Sequence, residues 1–259
     1  MGRFVELEVT DSIAIVKLNR PEAANAMSQA LLEDLRTTVK TVEHEESITC
    51  TIITGSGKKA FCAGADLKER AGMNEQEVIA AVAFISETVT MVENMSMPVI
   101  AALNGVAFGG GLELALACDI RIAANHSQLG LTETSLAIIP GAGGTQRLPR
   151  LIGIGQAKRL IYSAERITAN KALAIGLVEE AVEAKDLMET ARKLAEMIAK
   201  NGPIALKQAK TAINKGLETD LATGLIIEQL AYQQTIPTND RVEGLRAFRE
   251  KRTPTYQGN

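Results

Sequence analysis

The sequence predicts an α/β fold, a mostly parallel sheet followed by an α-helical C-terminal subdomain. Strand-like apolar runs alternate with helical patterns through the first half of the chain, which is the spacing of βαβ units. From about Gly155 the pattern turns wholly helical. The 259 residues are 46% hydrophobic but only 3% aromatic, so a sizeable core is expected, built from Ala, Leu, Ile and Val. No internal period of roughly 20–50 residues recurs, which sets repeat architectures aside.

Residues 4–9 and 13–18, separated by the polar turn Thr10-Asp-Ser12, read as a strand pair. Residues 28 to about 44 carry apolar side chains at helical spacing. A β-branched run at 48–53, bounded by Gly55, reads as a buried strand. Asn74 with Glu77 three residues on is a capping box, opening a helix whose stripe is Val78, Val82, Ile85, Val89 and Val92. Residues 98–103 are strand-like again, 109–117 helical and 120–123 a short strand. Pro203 suits the first turn of a later helix and Gly216 its end. A composition change near 195–203 divides the chain into a core of residues 1–195 and a helical segment of residues 196–259.

Charge and composition exclude several functions. A net charge of −3 supplies no basic field for nucleic acid, and with no Trp there is little for bases to stack on. Cys50, Cys62 and Cys118 are odd in number and lack CxxC spacing, so reduced, partly buried thiols are expected. His44 and His126 have no metal-ligand spacing, and no metal is expected. No signal-peptide layout, membrane-length apolar run or peroxisomal address is visible, so a cytoplasmic protein is the expectation.

The stretch Asn104-Gly-Val-Ala-Phe-Gly-Gly-Gly-Leu-Glu-Leu-Ala-Leu-Ala-Cys-Asp119 points to chemistry. Three glycines run into an apolar helix, where bare backbone and a helix start aim unpaired N–H donors outward. Such donors suit a developing oxyanion. Glu113 sits among Leu112, Leu114, Ala115, Leu116 and Ala117, so its carboxylate is expected to be buried, which is rare without a partner or a task. Tight helix packing accounts equally well for Gly109 and Gly111. Glu133, just before an apolar run ending at Pro140, reads either as a helix-start carboxylate or as a second acid–base group. Two carboxylates at one centre would split into acid and base. Neither Gly109-Gly-Gly111 nor Gly141-Ala-Gly-Gly144 fits a dinucleotide or P-loop motif.

Together with Phe61-Cys-Ala-Gly-Ala-Asp-Leu-Lys68 and Glu133-Thr-Ser-Leu-Ala-Ile-Ile-Pro-Gly-Ala-Gly-Gly-Thr-Gln-Arg147, this stretch resembles the enoyl-CoA hydratase (crotonase) family, from about Asn19 to the C-terminus. The resemblance implies the ClpP/crotonase spiral of ββα units with a helical C-terminal trimerisation subdomain. It also implies a hydro-lyase of fatty acid β-oxidation, adding water syn across a 2-enoyl-CoA to give a 3-hydroxyacyl-CoA. By position in the motifs, Glu113 and Glu133 would flank the water, and Ala65 and Gly110 would supply the oxyanion N–H groups.

Coenzyme A, as part of the substrate and not a separate cofactor, would pass Glu22, Ala23 and Ala24 within Asn19-Arg-Pro-Glu-Ala-Ala-Asn-Ala26. It would then pass Ala63, Ala65, Asp66, Leu67 and Lys68. Phe248 and Lys251 match positions that meet the adenine and phosphate end, often from a neighbouring subunit in trimers that pair into hexamers.

Phe61–Arg70, Leu136-Ala-Ile-Ile-Pro140 and Thr235-Ile-Pro-Thr-Asn-Asp-Arg-Val-Glu-Gly244 are similar to the branch holding the 3-methylglutaconyl-CoA hydratase that also binds AU-rich RNA. That branch uses a lysine comb on the first helix. Here residues 28–46 offer Arg36 and Lys40 against Glu33, Asp34, Glu43, Glu45 and Glu46, so RNA is not an expected partner. The alternatives that the resemblance leaves open are the 3-methylglutaconyl-CoA hydratase of leucine breakdown, an RNA-binding protein on the same fold, and a CoA-thioester isomerase or decarboxylase on the same scaffold.

Overall fold

A computed structural model describes residues 2–259. Strands β1 (Val5–Thr10) and β2 (Ile13–Leu18) form the expected antiparallel pair. Helix α1 (Gln29–His44) starts one residue later than its apolar pattern, because Ser28 is the N-cap and its hydroxyl accepts from the Leu31 N–H. Three ββα units then follow. The first has β3 (Cys50–Gly55), β4 (Ala60–Cys62), α2 (Leu67–Arg70) and α3 (Glu75–Glu93). The second has β5 (Val99–Leu103), β6 (Val106–Phe108) and α4 (Gly110–Ala117). The third has β7 (Ile120–Ala124), β8 (Gln128–Gly130), a 3-10 turn at Glu133–Leu136, α5 (Gly144–Ile152) and α6 (Ile154–Ser163).

Each unit sends its first strand to one sheet and its second to another. In the six-stranded sheet β2, β3, β5 and β7 run parallel, and the four-stranded sheet begins β4-β6-β8, also parallel. The simple βαβ alternation is therefore corrected to a ββα spiral with a second sheet. Strands of three residues are too short to show a two-residue period.

The wholly helical reading beyond Gly155 is corrected as well. Strand β9 (Ile167–Thr168) pairs antiparallel with β8 and leads into α7 (Ala169–Ala174). Strand β10 (Glu180–Val182) pairs parallel with β7 and closes the large sheet. Both are specified by the edges they join, not by their own two or three residues.

The core lies in two layers. Leu31, Leu35, Val89, Val92, Leu112, Leu114 and Leu148 pack α1, α3, α4 and α5 into one core with strands of both sheets. Ile13, Ile15, Ile52, Ile100 and Ile122 face α8 (Leu187–Ala199), a single helix that runs through position 195. The capping box of α3 forms as expected, but only the later part of its stripe is buried, at Ile85, Val89 and Val92. All three cysteines are free and fully buried, beyond the partial burial expected.

Pro203 opens α9 (Pro203–Gly216), and α10 (Leu221–Thr235) packs against it where Gly216 meets Gly224. Helix α11 (Asn239–Glu250) follows. Leu221, Leu225, Ile226 and Leu230 remain 54–79% exposed on α10.

Gly111 is the point where α4 meets β4: an added Cβ would lie 2.0 Å from the Cys62 carbonyl oxygen, a rigid backbone atom. Packing thus explains this glycine. Gly111→Ala should lower stability by roughly 1–3 kcal/mol through overpacking. A urea midpoint unchanged from the parent would disprove that close approach.

Candidate active site

Three segments, each just beyond the second strand of a ββα unit, build the site. After β4 the chain reaches Ala65, which bridges to Met27 in the segment before α1. After β6 comes Gly109 at φ +50, then Gly110 as the first residue of α4. After β8 comes the 3-10 turn carrying Glu133, pinned when the Thr134 hydroxyl donates to the Ile161 carbonyl at 2.6 Å.

The two N–H groups at Ala65 and Gly110 lie close together: a Cβ on Gly110 would be 3.7 Å from the Ala65 nitrogen. Among the described residues neither N–H has an acceptor in the chain. The Gly110 N–H is also one of the orphan donors at the start of α4, where the dipole is positive. Two free donors this close match an oxyanion's needs.

Every residue of α4 is buried, and Glu113 is only 2% exposed. Its Oε1 accepts the Ala142 N–H at 2.7 Å and the Gly144 N–H at 2.8 Å. The donors come from the glycine-rich loop before α5 and from the first residue of that helix, and neither engages Oε2. Burial pushes the Glu113 pKa up, and the two N–H bonds, with the nearby charges of Arg147 and Arg70, oppose that rise without cancelling it.

Glu133 approaches from the opposite loop. Its Oε1 lies 3.0 Å from where a Gly109 side chain would begin, so Gly109 supplies room as well as a positive φ. The Oε2 atom is buried without a partner, one of three such side-chain atoms among the described residues. Burial, reinforced by the Glu113 charge, pushes the Glu133 pKa up to about 7. The Glu113 charge thus reaches Glu133 across the site.

The structure thus brings together Glu113, Glu133, Ala65 and Gly110. It also joins the two strips expected to meet coenzyme A. Glu22 and Ala23 lie in a 3-10 turn that ends at Ala24, and the Ala24 carbonyl accepts the Ala63 N–H at 3.1 Å. Asp66 is buried, its carboxylate paired with Arg20 and capping α2 through the Lys68 and Glu69 N–H groups. Leu67 and Lys68 are exposed on α2. Phe248, 84% exposed, and Lys251 sit at the end of α11, whose first residues are tied to the chain's own C-terminal tail. No hydrogen bond or salt bridge joins that helix to the site among the described residues.

Sequence reasoning missed Ala142 and Gly144, because their loop was tested only against phosphate-binding motifs. Glycines followed by a helix start were the available signal. It also missed Lys58 and Lys59, which line a groove with Pro21, Glu22, Asn25 and Gly57.

The profile described as Enoyl-CoA hydratase/isomerase matches residues 8–259. The chain is 59% identical to YngF of Bacillus subtilis, described as a candidate enoyl-CoA hydratase/isomerase, over 96% of this chain and 95% of that one. It is 47% identical to the human mitochondrial methylglutaconyl-CoA hydratase, over 97% of this chain and 75% of that one. Its structure superposes on the crystal structure of enoyl-CoA hydratase from Bacillus anthracis with a TM-score of 0.98 and 55% identity, covering 99% of this chain and 100% of that one.

The raised Glu133 carboxyl makes stability depend on pH. Its pKa in the fold exceeds the unfolded value, so folding favours the protonated form. That contribution is complete below pH 4.5 and is lost as pH rises through about 7. Relative to wild type, Glu133→Gln should therefore melt progressively higher between pH 5 and pH 8. A melting difference that stays constant across this range would refute the shift.

Proposed function

The chain belongs to the enoyl-CoA hydratase/isomerase family, and we propose that it hydrates 2-enoyl-CoA thioesters with Glu113 as base and Glu133 as acid. The observation that carries this reading is the unequal setting of two neighbouring carboxylates. Glu113 accepts two N–H bonds that favour its ionised form, whereas Glu133 has a bare buried oxygen and a pKa near 7.

In this scheme the thioester oxygen accepts from the Ala65 and Gly110 N–H groups. Water approaches carbon 3, Glu113 Oε2 takes one of its protons, and the hydroxyl oxygen bonds to carbon 3. Electrons of the double bond move toward the thioester, where the two N–H donors stabilise the developing negative charge. Glu133 gives its proton to carbon 2 from the same face, completing a syn addition. A proton returned from Glu113 to Glu133 through solvent resets the pair, so the net change is one added water.

Coenzyme A would follow residues 22–24 and 63–68, with the groove at Lys58 and Lys59 suited to its phosphates. Phe248 and Lys251 would serve an adenine end only across a subunit boundary. The exposed apolar row on α10 supports a trimer or a hexamer of paired trimers. We extend the reading to a cytoplasmic β-oxidation enzyme; among the described residues no helix is long and apolar enough to cross a membrane. Arg36 is engaged by Glu87 and Phe84, leaving Lys40 as the only other cation of α1, which favours an enzyme over an RNA binder.

A second reading, for the acyl group, is favoured by Arg70. Its Nε is buried without a partner, and its charge reaches both catalytic carboxylates. A carboxylate on the acyl chain would satisfy it, as in 3-methylglutaconyl-CoA, whose name the human relative carries.

Glu113→Gln and Glu133→Gln should each cut crotonyl-CoA turnover by roughly 10²–10⁴ with the fold retained. Near-parental turnover in both variants would remove the assignment. Arg70→Gln should lower the ratio of kcat/KM for 3-methylglutaconyl-CoA over crotonyl-CoA by about tenfold to a hundredfold, the worth of a hydrogen bond to a charged group. Equal losses on both substrates would leave Arg70 without a role in acyl selection.

A further inference from the structure

The loop that grips Glu113 is itself held from behind. Arg147 on α5 donates from Nε to Glu93 Oε1 at 2.7 Å and from Nη2 to Glu93 Oε2 at 2.6 Å, a bidentate pair with the last residue of α3. Its remaining arm, Nη1, donates to the Ala142 carbonyl at 2.7 Å. Ala142 is thus engaged from both sides, its N–H by Glu113 and its C=O by Arg147. The Arg147 backbone N–H meanwhile donates to the carbonyl of Gly143, the N-cap of α5, at 2.8 Å, as part of that helix's first turn. Gly143 sits at φ +97, and a side chain there would begin 2.0 Å from Arg147 Nη1. The guanidinium fills the space that only a glycine leaves open.

We propose that Glu93 and Arg147 are positioning residues of the site: the pair fixes loop 142–144 in the one shape whose two N–H groups converge on Glu113 Oε1. The inference rests on the reading of Glu113 as base. Neither residue needs to touch substrate. Glu93 is 36% and Arg147 17% exposed at the side chain, so the ion pair is part-buried. Its value is geometric, because Arg spans two anchors in a fixed fork and Lys cannot.

The other ionisable groups around Glu113 are few. They are Glu133 across the site, Arg70 on α2, and the Cys62 and Cys118 thiols beside α4, each pushed up to about 12 by burial and therefore neutral. Through-space charge and loop positioning predict opposite signs for one variant. Removing the Glu93 charge by simple electrostatics leaves Arg147 unopposed and makes Glu113 more acidic. Releasing the loop takes away N–H donors and makes Glu113 less acidic.

The test compares Glu93→Gln, Arg147→Lys and the double variant, each checked by circular dichroism. The pH profile of kcat/KM for crotonyl-CoA is measured alongside a ¹³C-carboxyl titration of Glu113 in the free protein. Positioning predicts that all three variants move the acid limb, and the Glu113 titration, upward by about one pH unit. The kcat/KM at the low-pH end then falls about tenfold. The double variant should lose no more than the single ones, because the two residues act as a unit.

An unmoved or downward shift in Glu93→Gln, or full retention in Arg147→Lys, would overturn the inference. The carboxyl titration reads the clamp without turnover, so a wild-type protein that hydrates no enoyl-CoA would defeat the functional reading and leave this result to stand separately. Should Arg147→Lys fail to fold, Glu93→Gln at the end of α3 still decides the sign.

Discussion

The site depends on keeping one carboxylate inside an otherwise apolar helix. An unpaired charge in that setting is expensive, and a buried polar group must find partners or neutralise. Glu113 finds two, both backbone N–H groups of the segment 141–144, which has three glycines and runs into the first residue of α5. Backbone donors suit this task because they carry no counter-charge that would quench the base. They also leave Oε2 without either bond. The price in conformational freedom falls on the loop, which is why so much surrounding structure holds that loop in place.

The spiral of ββα units explains why these groups meet at all. Strands β4, β6 and β8 are parallel neighbours in the small sheet, so their C-terminal ends lie side by side. The segments leaving those ends deliver Ala65, Gly110 with Glu113, and Glu133 respectively. Binding at the carboxyl ends of parallel strands is a general property of such sheets. Here three successive copies of one connection bring a free N–H, a second free N–H with a buried carboxylate, and a second carboxylate to one place. The large sheet and α8 contribute no reacting group and serve as the rigid backing.

Two glutamates of equal intrinsic acidity acquire different tasks from their surroundings. Helix α4 and its neighbours surround Glu113 but give it hydrogen bonds. The 3-10 turn offers Glu133 burial, a bare oxygen and a negative neighbour. The Glu113 charge discourages ionisation of Glu133, which lacks the pair of N–H donors that opposes the rise at Glu113. Gly109 leaves room for this arrangement, because a Cβ there would press on the Glu133 carboxyl at 3.0 Å.

The sequence by itself determined the strand pair at the start, α1, the capping box of α3, and the burial of Glu113. Each is a local matter of period, cap or composition, and the glycines beside Glu113 made its surroundings legible in a single line of text. The motifs also named Ala65, Gly110 and Glu133 through family resemblance, although no spacing rule could show that they converge. Only the tertiary structure decided the second sheet, β9 and β10, since strands of two or three residues are defined by the edge they join. It alone gave Gly111 to packing and Gly109 to the site. It also decided that Glu113 is held by Ala142 and Gly144, some thirty positions away, and that Glu93 and Arg147 stand behind them. Backbone N–H groups are present in nearly every residue, so a sequence cannot mark which two of them will point at one carboxylate.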